Sequence, residues 1–279
     1  MPVIVVHCGA GSTSQVADAA DMAAEAGWNV LRAGGAALDA VVEAVVALED
    51  DERTNAGTGS RLNLDGVVEM DASVMTSDLR CGAVAAIRDV KNPIQVARDV
   101  MKSPHVLLCG DGAVEFARKS GHARFDPSTP RSREILEQMK GRLASGDLPA
   151  WASAWNEYRT GTVGAVSRDE KGRMAASNST GGVYLKLPGR VGDTPLIGCG
   201  IYAGPLAAVT TTGIGEEIIR RTLSRLVYDR IAAGSAPQEA CEEGVDLFQD
   251  EMPVGIIAVD ERGWGAAANT EMAWRARER

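Results

Sequence analysis

Two neighbouring stretches decide how the 279-residue chain is read: Gly161-Thr162-Val163-Gly164-Ala165-Val166 and Ser179-Thr180-Gly181-Gly182. Upstream of them, residues 126–161 carry Pro127, Pro130 and Pro149, many charges, Trp151 and Trp155. This segment reads as a connector with a helical middle over 133–143. Downstream, Thr162 to Ser167 and Arg173 to Ser177 read as strands around the polar turn Asp169-Glu170-Lys171-Gly172. A flexible segment that meets a fixed strand at a glycine is a good place to cut a chain. Cutting before Thr162 frees an α-amine with an intrinsic pKa of about 8. One residue then supplies both a hydroxyl nucleophile and the base that activates it. A β-branched residue that simply opens a strand gives the same local pattern, so the rest of the chain has to decide.

Further hydroxyls stand among glycines in the second half: Thr160, Thr180, Thr210, Thr211 and Thr212, the last followed by Gly213-Ile214-Gly215. Glycine is frequent throughout, 31 of 279 residues against a usual share of about 7%. That excess points to tight turns and a site built partly of main chain. Pro2 to His7 reads as a short buried strand. Residues 16–46 read as two helices broken at Gly34-Gly35, followed by the acidic loop Glu49-Asp50-Asp51-Glu52. Residues 61–77 read as a hairpin turning at Leu64-Asp65-Gly66. Strands are expected at 81–87 and 106–109, and helices at 93–101 and 113–119. The C-terminal part reads as a strand at 207–212, helices at 216–233 and 237–249, and a hairpin at 254–259 and 264–268. Strands followed by helices in both halves make an α+β protein with antiparallel pairs.

Composition excludes much else. The net charge is −9 with no basic block, which argues against nucleic acid as a partner. No apolar run reaches the roughly 18 residues of a membrane span. The first residues lack a basic, signal-like start, so a cytoplasmic protein is expected. Five cysteines are widely spaced without a CxxC, and His7, His105 and His122 each stand alone. A zinc site and a Ser-His-Asp triad therefore lack their residues. A GxxxxGK[ST] phosphate loop does not occur.

Taken together with Lys186-Leu187-Pro188-Gly189-Arg190-Val191-Gly192-Asp193, Thr212-Gly213-Ile214-Gly215-Glu216, Asn55-Ala56-Gly57, Asp71-Ala72-Ser73-Val74-Met75 and Ser103-Pro104-His105-Val106, the quoted stretches resemble the plant-type L-asparaginase/isoaspartyl peptidase family. The resemblance covers nearly the whole chain except the connector. It implies a single N-terminal-nucleophile hydrolase domain over 1–279, a four-layer αββα sandwich. It implies autocleavage between Gly161 and Thr162 into an α subunit (1–161) and a β subunit (162–279). Two such αβ units would pair into a homodimer. Thr162 would be the nucleophile, and Thr180 would help to activate it. The Thr212 hydroxyl and Gly213 amide would form the oxyanion hole. Arg190 would hold the substrate α-carboxylate, Asp193 and the Gly215 carbonyl its ammonium, and Asn55 would line the site. Catalysis would need no cofactor. A structural sodium ion would sit on the main-chain carbonyls of Leu48, Glu49, Asp51, Thr54, Ala56 and Thr58.

The activity so implied is hydrolysis of β-aspartyl dipeptides and of the asparagine side-chain amide, releasing aspartate. Rival readings are a glycosylasparaginase, a taspase-like endopeptidase, or an uncleaved binding module of the same fold. The stretch Ser179-Thr180-Gly181-Gly182 has Gly where the related glycosylasparaginases carry Asn, which favours the asparaginase branch. Cys8 replaces a glycine of the family pattern, and the segment 12–23 is short. Cys199, Ile201, Ile214 and Gly204-Pro205 also depart from the pattern, and these bear on the leaving-group preference.

Overall fold

Strand β1 (Val3–Ala10) runs inside the larger of two sheets and is buried along its whole length. Its side chains go both ways. Ile4, Val6 and Cys8 pack toward helices, while Val3 and Val5 pack toward the second sheet. A strand buried on both faces needs no polar alternation, which is why this run is apolar apart from His7. The computed structural model describes residues 1–146, 161–249 and 252–279. Pro149, Trp151, Trp155 and Thr160 of the expected connector lie outside the described residues.

Among the described residues the larger sheet has seven strands in the order β11-β1-β5-β6-β2-β3-β4. Besides β1, these are β2 (Met70–Thr76), β3 (Cys81–Ile87), β4 (Leu107–Cys109), β5 (Val163–Arg168), β6 (Met174–Thr180) and β11 (Met272–Glu278). The smaller sheet runs β10-β9-β8-β7, with β7 (Ile201–Gly204), β8 (Ala207–Gly213), β9 (Val254–Asp260) and β10 (Trp264–Ala268). The strand pairs are antiparallel as expected, except that β4 lies parallel to β3. The run through helix α3 (Pro93–Val100) between them supplies the crossover that a parallel pair requires.

The layers follow from side-chain alternation. α1 (Ala17–Arg32), α2 (Ala37–Glu49) and α3 cover the outer face of the larger sheet. α6 (Gly215–Arg221), α7 (Leu223–Ala232) and α8 (Pro237–Val245) pack against the smaller one. Between the sheets, Val3, Val5, Val166 and Ala176 meet Ile201, Ala208, Ile257 and Val259. The result is the αββα sandwich.

Several local expectations change. The hairpin at 61–77 shrinks to a single bridge between Leu62 and Val68. Its turn is organised by Asn63, whose Oδ1 accepts from the Asp65 and Val67 amides. The helix expected over 216–233 breaks at Thr222, which takes a left-handed φ of 45°. The break turns the Ser224 and Arg225 amides toward the Cys199 and Gly198 carbonyls, tying α7 to the loop before β7. β7 and β11 were not expected. β11 is an edge strand, and its arginines Arg275 and Arg277 pair with Asp21. α4 (Gly110–Lys119) matches its expected span closely. The helical middle of the connector is α5 (Pro130–Ala144), started by a Thr129–Ser132 capping box and anchored in the core by Leu136 and Met139.

Candidate active site

Thr162 sits immediately before β5. The β5–β6 register pairs Val163 with Ser179, so its continuation sets Thr162 opposite Thr180. On the other side β1 pairs His7 with Gly164, which carries Gly9 toward Thr162. Gly9 has a φ of 102°, and a Cβ there would come within 2.7 Å of the Gly161 Cα. Only glycine lets β1 approach the Gly161-Thr162 peptide this closely. From the smaller sheet, the Thr212 hydroxyl donates toward the Thr162 carbonyl at 3.5 Å and accepts from the Ala10 amide at 3.3 Å. Gly213 has a φ of 147°, and a Cβ there would strike the Pro253 carbonyl at 2.3 Å. The ends of four strands thus meet around one peptide bond.

Gly161, Thr162, Thr180, Arg190, Asp193, Gly213 and Gly215 all line a single pocket, with Arg61 and Glu216. Thr212 is fully buried behind it. Thr180 accepts a hydrogen bond from the Gly182 amide at 3.0 Å, which aligns its hydroxyl on the turn after β6. Asn55 stands elsewhere, in the adjoining cleft. Its Nδ2 donates to the Gly182 carbonyl at 2.7 Å and its Oδ1 accepts from the Arg61 amide at 3.1 Å, so it braces the Gly181-Gly182 turn from behind.

The charged wall is held by partners far away in sequence. Arg190 donates through Nε and Nη2 to the two carboxylate oxygens of Glu216, at 2.9 and 2.8 Å. Burial works against the Glu216 charge, but the bonds from Arg190 outweigh it and hold its pKa below the usual range. A guanidinium has five donors, so Arg190 keeps three more for a ligand. Asp193 is buried, and its Oδ2 has no hydrogen-bond partner among the described residues. Burial pushes its pKa up to about 7, against the pull of Arg190. Asp71 on β2 accepts from the Gly192 amide and so fixes the loop between these two residues. Lys186, also buried, donates to the Glu69 and Gly181 carbonyls. Burial lowers its pKa to about 8. Glu216, Asp71, Lys186, Gly9 and Arg61 were given no role from sequence, although the first three stand in the stretches that carry the resemblance. For Gly9 a signal existed, the glycine turn that ends β1.

A sequence model of the family described as Asparaginase matches residues 1–279. The chain belongs to the asparaginase family. It is 44% identical to the plant-type L-asparaginase of Pyrococcus abyssi, over 97% of this chain and 94% of that protein. It is 42% identical to the isoaspartyl peptidase/L-asparaginase of Danio rerio, over 99% of this chain and 92% of that protein. The same figure holds for the Rattus norvegicus isoaspartyl peptidase/L-asparaginase, over 98% and 85%.

The residues read from the sequence as departures from the family pattern fall in different places. Ile214 lines the pocket. Cys8 lies in the core between sheet and helices, where burial pushes its thiol up to about 12. Cys199 and Ile201 lie in the smaller sheet's outer core and between the sheets. His7 is fully buried, and burial drives its pKa down to about 3.

The loop expected to hold sodium curls on itself. The Leu48 carbonyl accepts from the Thr54 hydroxyl at 2.7 Å, Glu49 from the Thr58 amide at 2.8 Å, and Asp51 from the Thr54 amide at 3.0 Å. Gly57 has a left-handed φ, and a Cβ there would fall 2.5 Å from the Glu49 carbonyl. Main-chain carbonyls are the donor type that a hard cation takes, and the Leu48 and Asp51 carbonyls each accept a second hydrogen bond, from the Asp51 amide at 3.3 Å and from the Thr54 hydroxyl at 3.1 Å. The Glu49 carboxyl turns away from the loop to accept from Ser179 and the Ile94 amide. Burial raises its pKa to about 8.

Proposed function

We propose that the chain is a threonine-nucleophile hydrolase that cleaves β-aspartyl dipeptides and the side-chain amide of asparagine, releasing aspartate. The observation that carries this is the meeting, in one pocket, of Thr162 with Thr180, Gly213 and the Arg190–Asp193 pair. The relatives' names point to the same substrates.

In this reading the Thr162 hydroxyl first attacks the Gly161 carbonyl and the Gly161–Thr162 C–N bond breaks, which leaves an ester and the free Thr162 amine; water then hydrolyses the ester to the Gly161 carboxylate and the free hydroxyl. That amine then takes the hydroxyl proton as Thr162 attacks the substrate side-chain carbonyl. The Thr212 hydroxyl and Gly213 amide receive the negative charge that develops on oxygen. The proton passes to the leaving nitrogen, which departs as ammonia or as an amino acid. Water then cleaves the aspartyl ester. Arg190 holds the α-carboxylate with the donors that Glu216 leaves open. The ammonium supplies the partner that Asp193 Oδ2 lacks, with the Gly215 carbonyl beside it. Asn55 serves the site from behind, by holding the Gly181-Gly182 turn.

Sodium on the carbonyls of Leu48, Glu49, Asp51, Thr54, Ala56 and Thr58 belongs to the same proposal, as a rigid tie behind Asn55. So do pairing of two units and a cytoplasmic location, which the exposed thiol of Cys109 suits. Among the described residues no helix is long and apolar enough to cross a membrane. Thr162→Ala tests the core of the reading. Its hydrolysis of a β-aspartyl dipeptide should fall by on the order of 10⁴-fold or more; activity within tenfold of the parent would refute the assigned nucleophile.

A further inference from the structure

The chemistry above gives no task to Arg61, yet Arg61 lines the same pocket as Thr162. It also lines the adjoining cleft with Asn55 and Tyr184, so it stands at the partition between the two. Its guanidinium carbon lies 4.0 Å over the Tyr184 ring, and its Nη1 is 3.4 Å from the Gly182 carbonyl. Its amide is tied to Asn55. A cation stacked on an aromatic face and tethered at both ends gives up little freedom when it meets an anion. Burial lowers its pKa, but an arginine keeps its charge.

Charge matching shows what it suits. Asparagine brings one ammonium and one carboxylate, and Asp193 and Arg190 answer them. A β-aspartyl dipeptide brings a second carboxylate, on the amino acid that leaves. Arg61 is the arginine of the pocket that the aspartyl head does not engage. We propose that Arg61, stacked on Tyr184, binds the free α-carboxylate of the leaving amino acid and so tilts the enzyme toward β-aspartyl dipeptides. This rests on the hydrolase reading above. A rival role is a purely structural one, bracing the turn at Gly182.

The test compares β-aspartyl-leucine with its C-terminal amide, which lacks the second carboxylate, on the processed enzyme and on Arg61→Gln and Arg61→Lys. The parent should favour the free acid over the amide by about tenfold or more in kcat/KM, the effect of one charge-assisted contact. Arg61→Gln should bring that ratio close to one by raising KM for the acid, and Arg61→Lys should restore part of it. A ratio near one in the parent would overturn the proposal, and needs no variant to fold. So would an Arg61→Gln enzyme that loses activity on both peptides while keeping the parent's ratio, the signature of a brace. A parent that cleaves neither the peptides nor asparagine would instead refute the hydrolase reading itself.

Discussion

The two walls of the pocket are built by different means. Around Thr162 the groups are hydroxyls and main-chain amides at strand ends, set by ladder register and by glycines that no side chain could replace. Across from it the groups are charges, Arg61, Arg190 and Asp193 on loops and Glu216 in the first turn of α6, placed by ion pairs, stacking and burial. The first wall is rigid because moving it means breaking a sheet. The second depends on the ionisation of buried groups. On the proposed reading, chemistry falls to the first wall and recognition to the second, so damage to each should look different.

The larger effect is expected on the first wall. Thr212→Val keeps the shape of the buried side chain but removes its hydroxyl. Loss of one oxyanion donor should lower kcat by about 10²–10³-fold with KM little changed. A change confined to KM would move Thr212 from the chemistry to binding, and erase the contrast between the walls.

On the second wall, Asp193→Asn should lower kcat/KM by roughly 10²-fold through loss of the ammonium partner. It should also change stability with pH. Asp193 has a folded pKa of about 7, above the roughly 3.9 of an unfolded Asp. Its contribution to stability is therefore fully present below the unfolded value and is lost as pH rises through about 7. The Asn variant escapes that cost, so its Tm should exceed the parent's by a few degrees at pH 8 and match it at pH 4. Thermal melts at the two pH values check this. An equal Tm at both would mean that Asp193 is not an uncompensated buried charge.

The same division explains what the sequence made legible. Thr162, Thr180, Thr212 and Gly213 stand out because local geometry leaves local marks: glycines, β-branched runs and turns. The α+β plan was legible for the same reason in β1, α1 and α2, whereas the four-layer sandwich followed from the family resemblance. Partners were harder to read. Glu216 meets Arg190 across 26 residues, Asp71 reaches Gly192 across 121, and Arg61 lies on Tyr184 only once the chain is folded. Nothing in the spacing of these residues announces the pairing. Asn55 shows the converse case: the residue was visible, but that its amide faces the Gly182 carbonyl is a property of tertiary structure. Thr222 breaks its helix for a similar reason, because the gain comes from Gly198 and Cys199. β11 hid as an edge strand whose outward arginines look like surface charge.

The account stands on Thr162 becoming an N-terminus. The intact mass of the purified protein under denaturing conditions, with sequencing of any new N-terminus, tests this directly. Two chains of 161 and 279 − 161 = 118 residues, the shorter beginning at Thr162, are the predicted result. A single 29.3 kDa chain that hydrolyses β-aspartyl dipeptides without being cut would contradict it.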